Sequence, residues 1–139
     1  MRRVVVTGLG IVSPIGNNAG EVLASLKAGK SGVSANEAMQ EHGFRSQIAG
    51  APKIDVSAFV DKRTLRFMGP GAAYAHIAMT QAIADAGLTE AEVSDPMTGL
   101  IAGSGGPSTS AMFQAHQTVL KSGSPKRIGP FAVPKCMSS

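Results

Sequence analysis

The side chains that could carry chemistry in this sequence are few and scattered. Its one cysteine, Cys136, stands beside Lys135 and two residues after Pro134. Proline suits the first position of a helix, and a thiol at a helix start beside a cation is favoured as the reactive thiolate. A free cysteine is more often a small buried residue, and that is the reading we adopt for Cys136. The three histidines, His42, His76 and His116, are far apart, and Cys136 has no partner at ligand spacing, so no zinc site is expected.

Two glycine-containing motifs invite a phosphate reading and fail it. Gly8-Leu9-Gly10 follows an apolar run, but Ser13 stands where the third glycine of a dinucleotide fingerprint belongs. Glycines that let a strand end turn tightly are the better account. The stretch Ala24-Ser25-Leu26-Lys27-Ala28-Gly29-Lys30-Ser31 resembles a phosphate loop with its first glycine replaced. Such a loop must precede a helix so that free N–H groups face the phosphate. Here Ser25 and Lys27 fall in the last turn of an expected helix, where those groups are already bonded.

The net charge is +4, from 13 basic and 9 acidic residues. That excess is mild, and no basic run with interleaved aromatics is present for stacking on bases, so nucleic acid is not expected as a partner. An acidic partner of another kind stays open. A single cysteine excludes an internal disulfide and suits a reducing, cytoplasmic setting. No apolar stretch is long enough for a membrane span, and the first apolar run is too short for a signal peptide. With 43% apolar and 16% charged residues the chain can bury a core, built from aliphatic side chains because aromatics make up only 4%.

The elements that would position these residues follow from pattern. Residues 4–7 read as a buried strand, continuous in the manner of a sheet covered on both faces. Asn17 or Asn18 can cap a helix over 19–28, with Val22, Leu23 and Leu26 on one face and Gly29 as its stop. Residues 30–52 read as loop with short elements, and 55–60 as one helical turn. The strongest helix signal runs over 64–86, with Leu65, Met68, Ala72, Ala75, Met79, Ile83 and Ala86 recurring at threes and fours. Gly69-Pro70-Gly71 conflicts with one continuous helix, which should start after it or break there. Thr89 and Glu92 have capping-box spacing. Residues 99–102 read as a second buried strand, 108–121 as helix, 122–130 as loop, and Pro134 as a helix start. Strand, helix, long helix and strand suggest a layered α/β fold with a parallel sheet.

A family resemblance is carried by several segments in order. They are Val5-Val6-Thr7-Gly8-Leu9-Gly10-Ile11-Val12-Ser13-Pro14-Ile15-Gly16-Asn17, then Leu26-Lys27-Ala28-Gly29-Lys30-Ser31-Gly32, and Asp61-Lys62-Arg63 with Arg66-Phe67-Met68. Next come Gln81-Ala82-Ile83-Ala84-Asp85-Ala86-Gly87-Leu88, Gly99-Leu100-Ile101-Ala102-Gly103-Ser104-Gly105-Gly106 and Gly129-Pro130-Phe131. Together they resemble the β-ketoacyl-acyl-carrier-protein synthases, closest to the bacterial type I enzyme. The resemblance implies an α/β, thiolase-like layered fold, of which residues 1–139 would be part of the N-terminal half. It implies a homodimer and a decarboxylative condensation of an acyl thioester with a malonyl thioester in fatty-acid elongation. No cofactor is implied beyond the phosphopantetheine arm of acyl carrier protein, which carries the substrates.

The resemblance also assigns residues. The family's nucleophilic cysteine and its two histidines match no residue of this chain, so no catalytic residue is assigned and the chain alone is expected to be inactive. Cys136 matches a segment near the dimer interface instead. Met137 matches a residue that reaches the partner subunit's acyl pocket, and Gly106 a glycine that leaves room for the alkyl tail. Pro107 departs from the type I pattern. Lys62, Arg63 and Arg66 match the basic patch for the acidic carrier protein, and Lys126 a second basic position. Two rivals are a polyketide ketosynthase, which a start at Met1 directly on the first strand disfavours, and a catalytically silent heterodimer partner.

Overall fold

In the computed structural model residues 2–137 are described. They divide into two compact units. One runs through Ile54 and takes in Ala78–Leu88; the other holds Asp55–Ile77 and the chain from Thr89 onward.

The first unit begins with an extended segment that makes no strand. Val4 is 91% exposed, contrary to the buried strand expected over residues 4–7. The physical reason is pairing. A buried strand needs a neighbour for its N–H and C=O groups, and among the described residues none pairs with this run. Beyond it the chain lies along residues 78–86. The Leu9 N–H donates to an Asp85 carboxylate oxygen at 2.9 Å, and the Ile11 N–H to Gln81 Oε1 at 3.0 Å.

Helix α1 spans Ala19–Lys27, with the Asn18 side chain accepting the Glu21 N–H at 2.9 Å. It stops as expected at Gly29, whose φ of +60° suits glycine. Its inward position differs from expectation. Leu23 and Leu26 are exposed, while Ser25 is buried and donates to the Ile15 carbonyl at 2.6 Å. Ser25 and Lys27 are thus in a helix end, and the phosphate-loop reading lapses. Strand β1 (Val33–Ala35), helix α2 (Glu37–Glu41) and strand β2 (Ile48–Gly50) follow. The two strands pair antiparallel, Val33 opposite Gly50 and Ala35 opposite Ile48. Among the described residues this hairpin replaces the expected parallel sheet, because the two apolar runs read as parallel strands have no paired neighbour.

In the second unit a 3-10 turn, Val56–Ala58, is capped by Asp55. Residues 66–69 separate helix α3, Lys62–Leu65, from helix α4, Pro70–Ala86, of which the stretch to Ile77 belongs to this unit and the rest to the first. Proline opens α4, where its missing N–H costs nothing, and Gly87 at φ +66° closes it. The most buried positions on α4 are Ala73 and Ile77, while Ala75, expected inside, is exposed. Helix α5, Glu90–Val93, carries the full capping box of Thr89 and Glu92. Residues 99–102 form no strand; Ile101 is 99% exposed and unpaired. Helix α6, Thr109–Ser122, starts at Ser108 and ends on left-handed Gly123. After a second 3-10 turn, Pro125–Arg127, helix α7 spans Ala132–Cys136. It begins two residues before Pro134. The buried apolar residues Val60, Ala73, Ile77 and Ala111 all belong to this unit.

Candidate functional site

The second unit contains an open cavity of about 390 Å³. Its wall is built from the start of α4 (Gly69, Ala72, Ala75), the loop over 102–108, the first turn of α6, and Met137. Ser108 does double work in this wall. Its hydroxyl caps α6 by accepting the Ala111 N–H, and its own N–H donates to the Cys136 carbonyl at 3.3 Å. Gly69 explains how the elements come so close. A Cβ there would stand 2.9 Å from the Lys135 carbonyl oxygen and 2.9 Å from Ser108 Cβ. Only a residue without a side chain fits that approach.

Gly106, matched to a glycine beside the alkyl tail, and Met137, matched to a residue that reaches the partner subunit's pocket, both line this cavity within one chain. A Cβ on Gly106 would meet nothing within 4 Å, so the space beside it is open. Met137 is the residue after α7, half-exposed on its wall. The volume is in the range of small-molecule clefts, and Met137 adds an unbranched, adaptable thioether to the lining. Cys136 closes α7 instead of opening it. The helix end beside its thiol therefore offers carbonyl groups and no free N–H groups, which removes the geometry that would have made it a nucleophile.

The basic residues gather on and beside α3. Lys62 and Arg63 are its first two residues, Arg66 follows its last, and all three are exposed. Asp61 is the one carboxylate adjoining them, and it is committed to the helix. One of its oxygens accepts the N–H groups of Arg63 at 2.8 Å and Thr64 at 3.1 Å; the other accepts the Thr64 hydroxyl. The Thr64 hydroxyl first, then the backbone N–H groups, hold the Asp61 carboxyl below its ordinary value. Arg66 is placed differently from its neighbours. Its guanidinium lies over the Phe131 ring, 5.8 Å from the centroid. Lys126 sits apart in the 3-10 turn Pro125–Arg127, whose cap is Ser124. Sequence reasoning missed Phe131 as a partner of Arg66; the available signal was the scarcity of aromatics, with Phe67 and Phe131 each beside a basic or glycine-rich motif.

Residues 1–139 match the family model described as the N-terminal domain of β-ketoacyl synthase. The chain is 50% identical over 139 residues to 3-oxoacyl-(acyl-carrier-protein) synthase 1 of Haemophilus influenzae, and 45% identical over 140 residues to the protein of that name from Escherichia coli K12. Each alignment covers 100% of this chain and 34% of the relative, so the chain spans about a third of the length of these relatives. Among solved structures it superposes on the ishigamide ketosynthase/chain length factor with a TM-score of 0.84 at 28% identity, covering 98% of this chain and 34% of that one. A β-ketoacyl synthase from Burkholderia phymatum gives 0.79 at 32% identity, covering 99% and 34%. These superpositions give the chain the thiolase-like α/β fold class expected from its sequence.

Proposed function

Because the chain belongs to the β-ketoacyl synthase family, we propose that the full-length protein is a 3-oxoacyl-acyl-carrier-protein synthase of fatty-acid elongation. The observation that carries the reading is identity of 45–50%, along this entire chain, to relatives bearing that name. The reaction has three steps. A cysteine thiolate takes the acyl group from the carrier's phosphopantetheine thioester and releases the carrier thiol. Malonyl carrier then loses carbon dioxide. The resulting carbanion attacks the enzyme thioester, forming the new carbon–carbon bond and returning the thiolate. Cysteine suits this role because its thiolate is both nucleophile and leaving group.

In this reading the nucleophilic cysteine and the histidines that steady the enolate oxygen lie outside the 139 residues. This chain supplies the surroundings. Gly106 leaves room for the alkyl tail and Met137 faces the acyl tail of the partner subunit, in an enzyme working as a cytoplasmic homodimer. Lys62, Arg63 and Arg66, with Lys126 of the partner subunit, draw in the acidic carrier, which speeds encounter and makes it sensitive to salt. The enzyme needs no cofactor beyond the carrier's own arm.

A second reading has one observation in its favour, the TM-score of 0.84 to a ketosynthase/chain length factor. Identity favours the first reading, 28% there against 45–50% to the 3-oxoacyl-acyl-carrier-protein synthases. The test is incubation of the full-length protein with acyl- and malonyl-carrier protein, followed by product analysis and mapping of the acyl group. A 3-oxoacyl product and an acylated cysteine other than Cys136 are expected. Absence of product, or acyl transfer to Cys136, sinks the proposal.

A further inference from the structure

The contacts of Phe131 link the basic patch to the cavity. Arg66 covers one side of its ring, and Phe67 meets it edge-on, with centroids 5.1 Å apart and planes at 88°. Phe131 is also the residue that opens α7, and its carbonyl accepts the Lys135 N–H at 3.2 Å. Two residues after Phe67, Gly69 packs against the other end of the same helix, on the Lys135 carbonyl. The next carbonyl, that of Cys136, accepts from Ser108, and Met137 follows. Gly69, Ser108 and Met137 all line the cavity. Residues 66–69 thus grip α7 at both ends, and α7 ends on the cavity wall.

We propose that Arg66 and Phe131 are a positioning pair that seats α7 and thereby sets which acyl tails the cavity accepts. The inference rests on the proposed acyl transfer but concerns cavity shape, not carrier docking. A guanidinium suits the task because it is planar, always charged and attracted to a ring face. The edge-on Phe67 fixes the ring from a second direction. The start of α7 has no side-chain cap, so the ring contacts hold it together with its packing against α6.

The test uses the full-length protein and a series of acyl thioesters that lack the carrier protein. Arg66→Gln and Phe131→Leu should each cut kcat/KM for the longest chains about two- to fivefold more than for the shortest, the ratio that loss of an exposed cation–π contact corresponds to. The double variant should be no worse than the poorer single variant, because both remove one interaction. Phe131→Tyr keeps the ring and should keep the wild-type profile. Hydrogen exchange over residues 132–137 should quicken in both single variants, a readout that needs no turnover. A loss uniform across chain lengths, additive losses in the double variant, failure of the tyrosine to rescue, or unchanged exchange overturns the pair. Failure of the proposed reaction itself would show as absent turnover in the parent protein, while the exchange measurement still judges α7.

Discussion

Gly10 should tolerate no side chain, and the reason lies in α4. A Cβ added at Gly10 would stand 1.7 Å from the Ala78 carbonyl oxygen and 2.9 Å from the Ala82 nitrogen. Both are backbone atoms of a helix, so neither can rotate away. Gly10→Ala must therefore push residues 8–11 off the helix. That displacement breaks the Leu9 bond to Asp85 and the Ile11 bond to Gln81. Overpacking costs about 1–3 kcal/mol, and each lost hydrogen bond about 0.5–1.5 kcal/mol. Together the loss should be roughly 2–5 kcal/mol, allowing for partial relaxation. Gly71, inside α4 with nothing within 4 Å of its would-be Cβ, is the contrast. Gly71→Ala should be neutral or stabilise by up to about 1 kcal/mol, from helix propensity. Thermal unfolding of the full-length variants gives the ranking, and amide exchange at Leu9 and Ile11 gives the location. Equal melting of the two variants, or Leu9 and Ile11 amides as protected in Gly10→Ala as in the parent, would refute the close approach.

Four further outcomes follow from the site. Asp61→Ala should weaken carrier binding although it removes a negative charge facing an acidic partner, because α3 loses its cap; tighter binding in a titration would show that charge, not helix order, governs the patch. The sign for pH is set by the same carboxyl: with its folded value lowered, its contribution is complete above the ordinary aspartate range and is lost as pH falls through the folded value, so helix exchange in α3 should rise only in acid. Lys62→Glu with Arg63→Glu should reduce carrier affinity several-fold at low salt, with the gap closing as salt rises, since screening removes both attraction and repulsion; a salt-independent loss would mean misfolding of α3. Met137→Trp should shorten the longest acyl chain accepted, read from the product profile, and an unchanged profile would remove Met137 from the cavity's working wall.

Helix ends were legible in the sequence because their chemistry is local. Asn18, the pair Thr89 and Glu92, and the stops Gly29 and Gly87 act on groups within four residues of themselves. Inward faces were less legible. On α1 Ser25 is buried while Leu23 and Leu26 are exposed, since a hydroxyl that reaches the Ile15 carbonyl satisfies itself inside. The apolar runs at 4–7 and 99–102 carry strand composition, but composition reports only a suitability for pairing, and pairing is non-local. Gly8 and Gly10 were singled out rightly and explained wrongly. They serve contact with α4, not a turn, and nothing near them in sequence could say so.

The basic patch shows the same limit at the site itself. Counted along the chain, Asp61, Lys62, Arg63 and Arg66 are a run of charges, and a run reads as one surface. In three dimensions they divide by what each charge already does. The Asp61 carboxylate is occupied by the first turn of α3, so it opposes an acidic partner less than its charge suggests. The Arg66 guanidinium lies over Phe131 and keeps its full charge, so substituting it removes a ring contact along with a cation. Lys62 and Arg63 carry the side chains most free to answer a docking surface. An exposed ion pair contributes only about 0.2–1 kcal/mol, so the distinction cannot be drawn from single neutralisations. It can be drawn from what accompanies them. Substitution of a charge spent on structure moves exchange, chain-length selection or helix order, whereas substitution of a free charge moves only the salt-dependent part of binding.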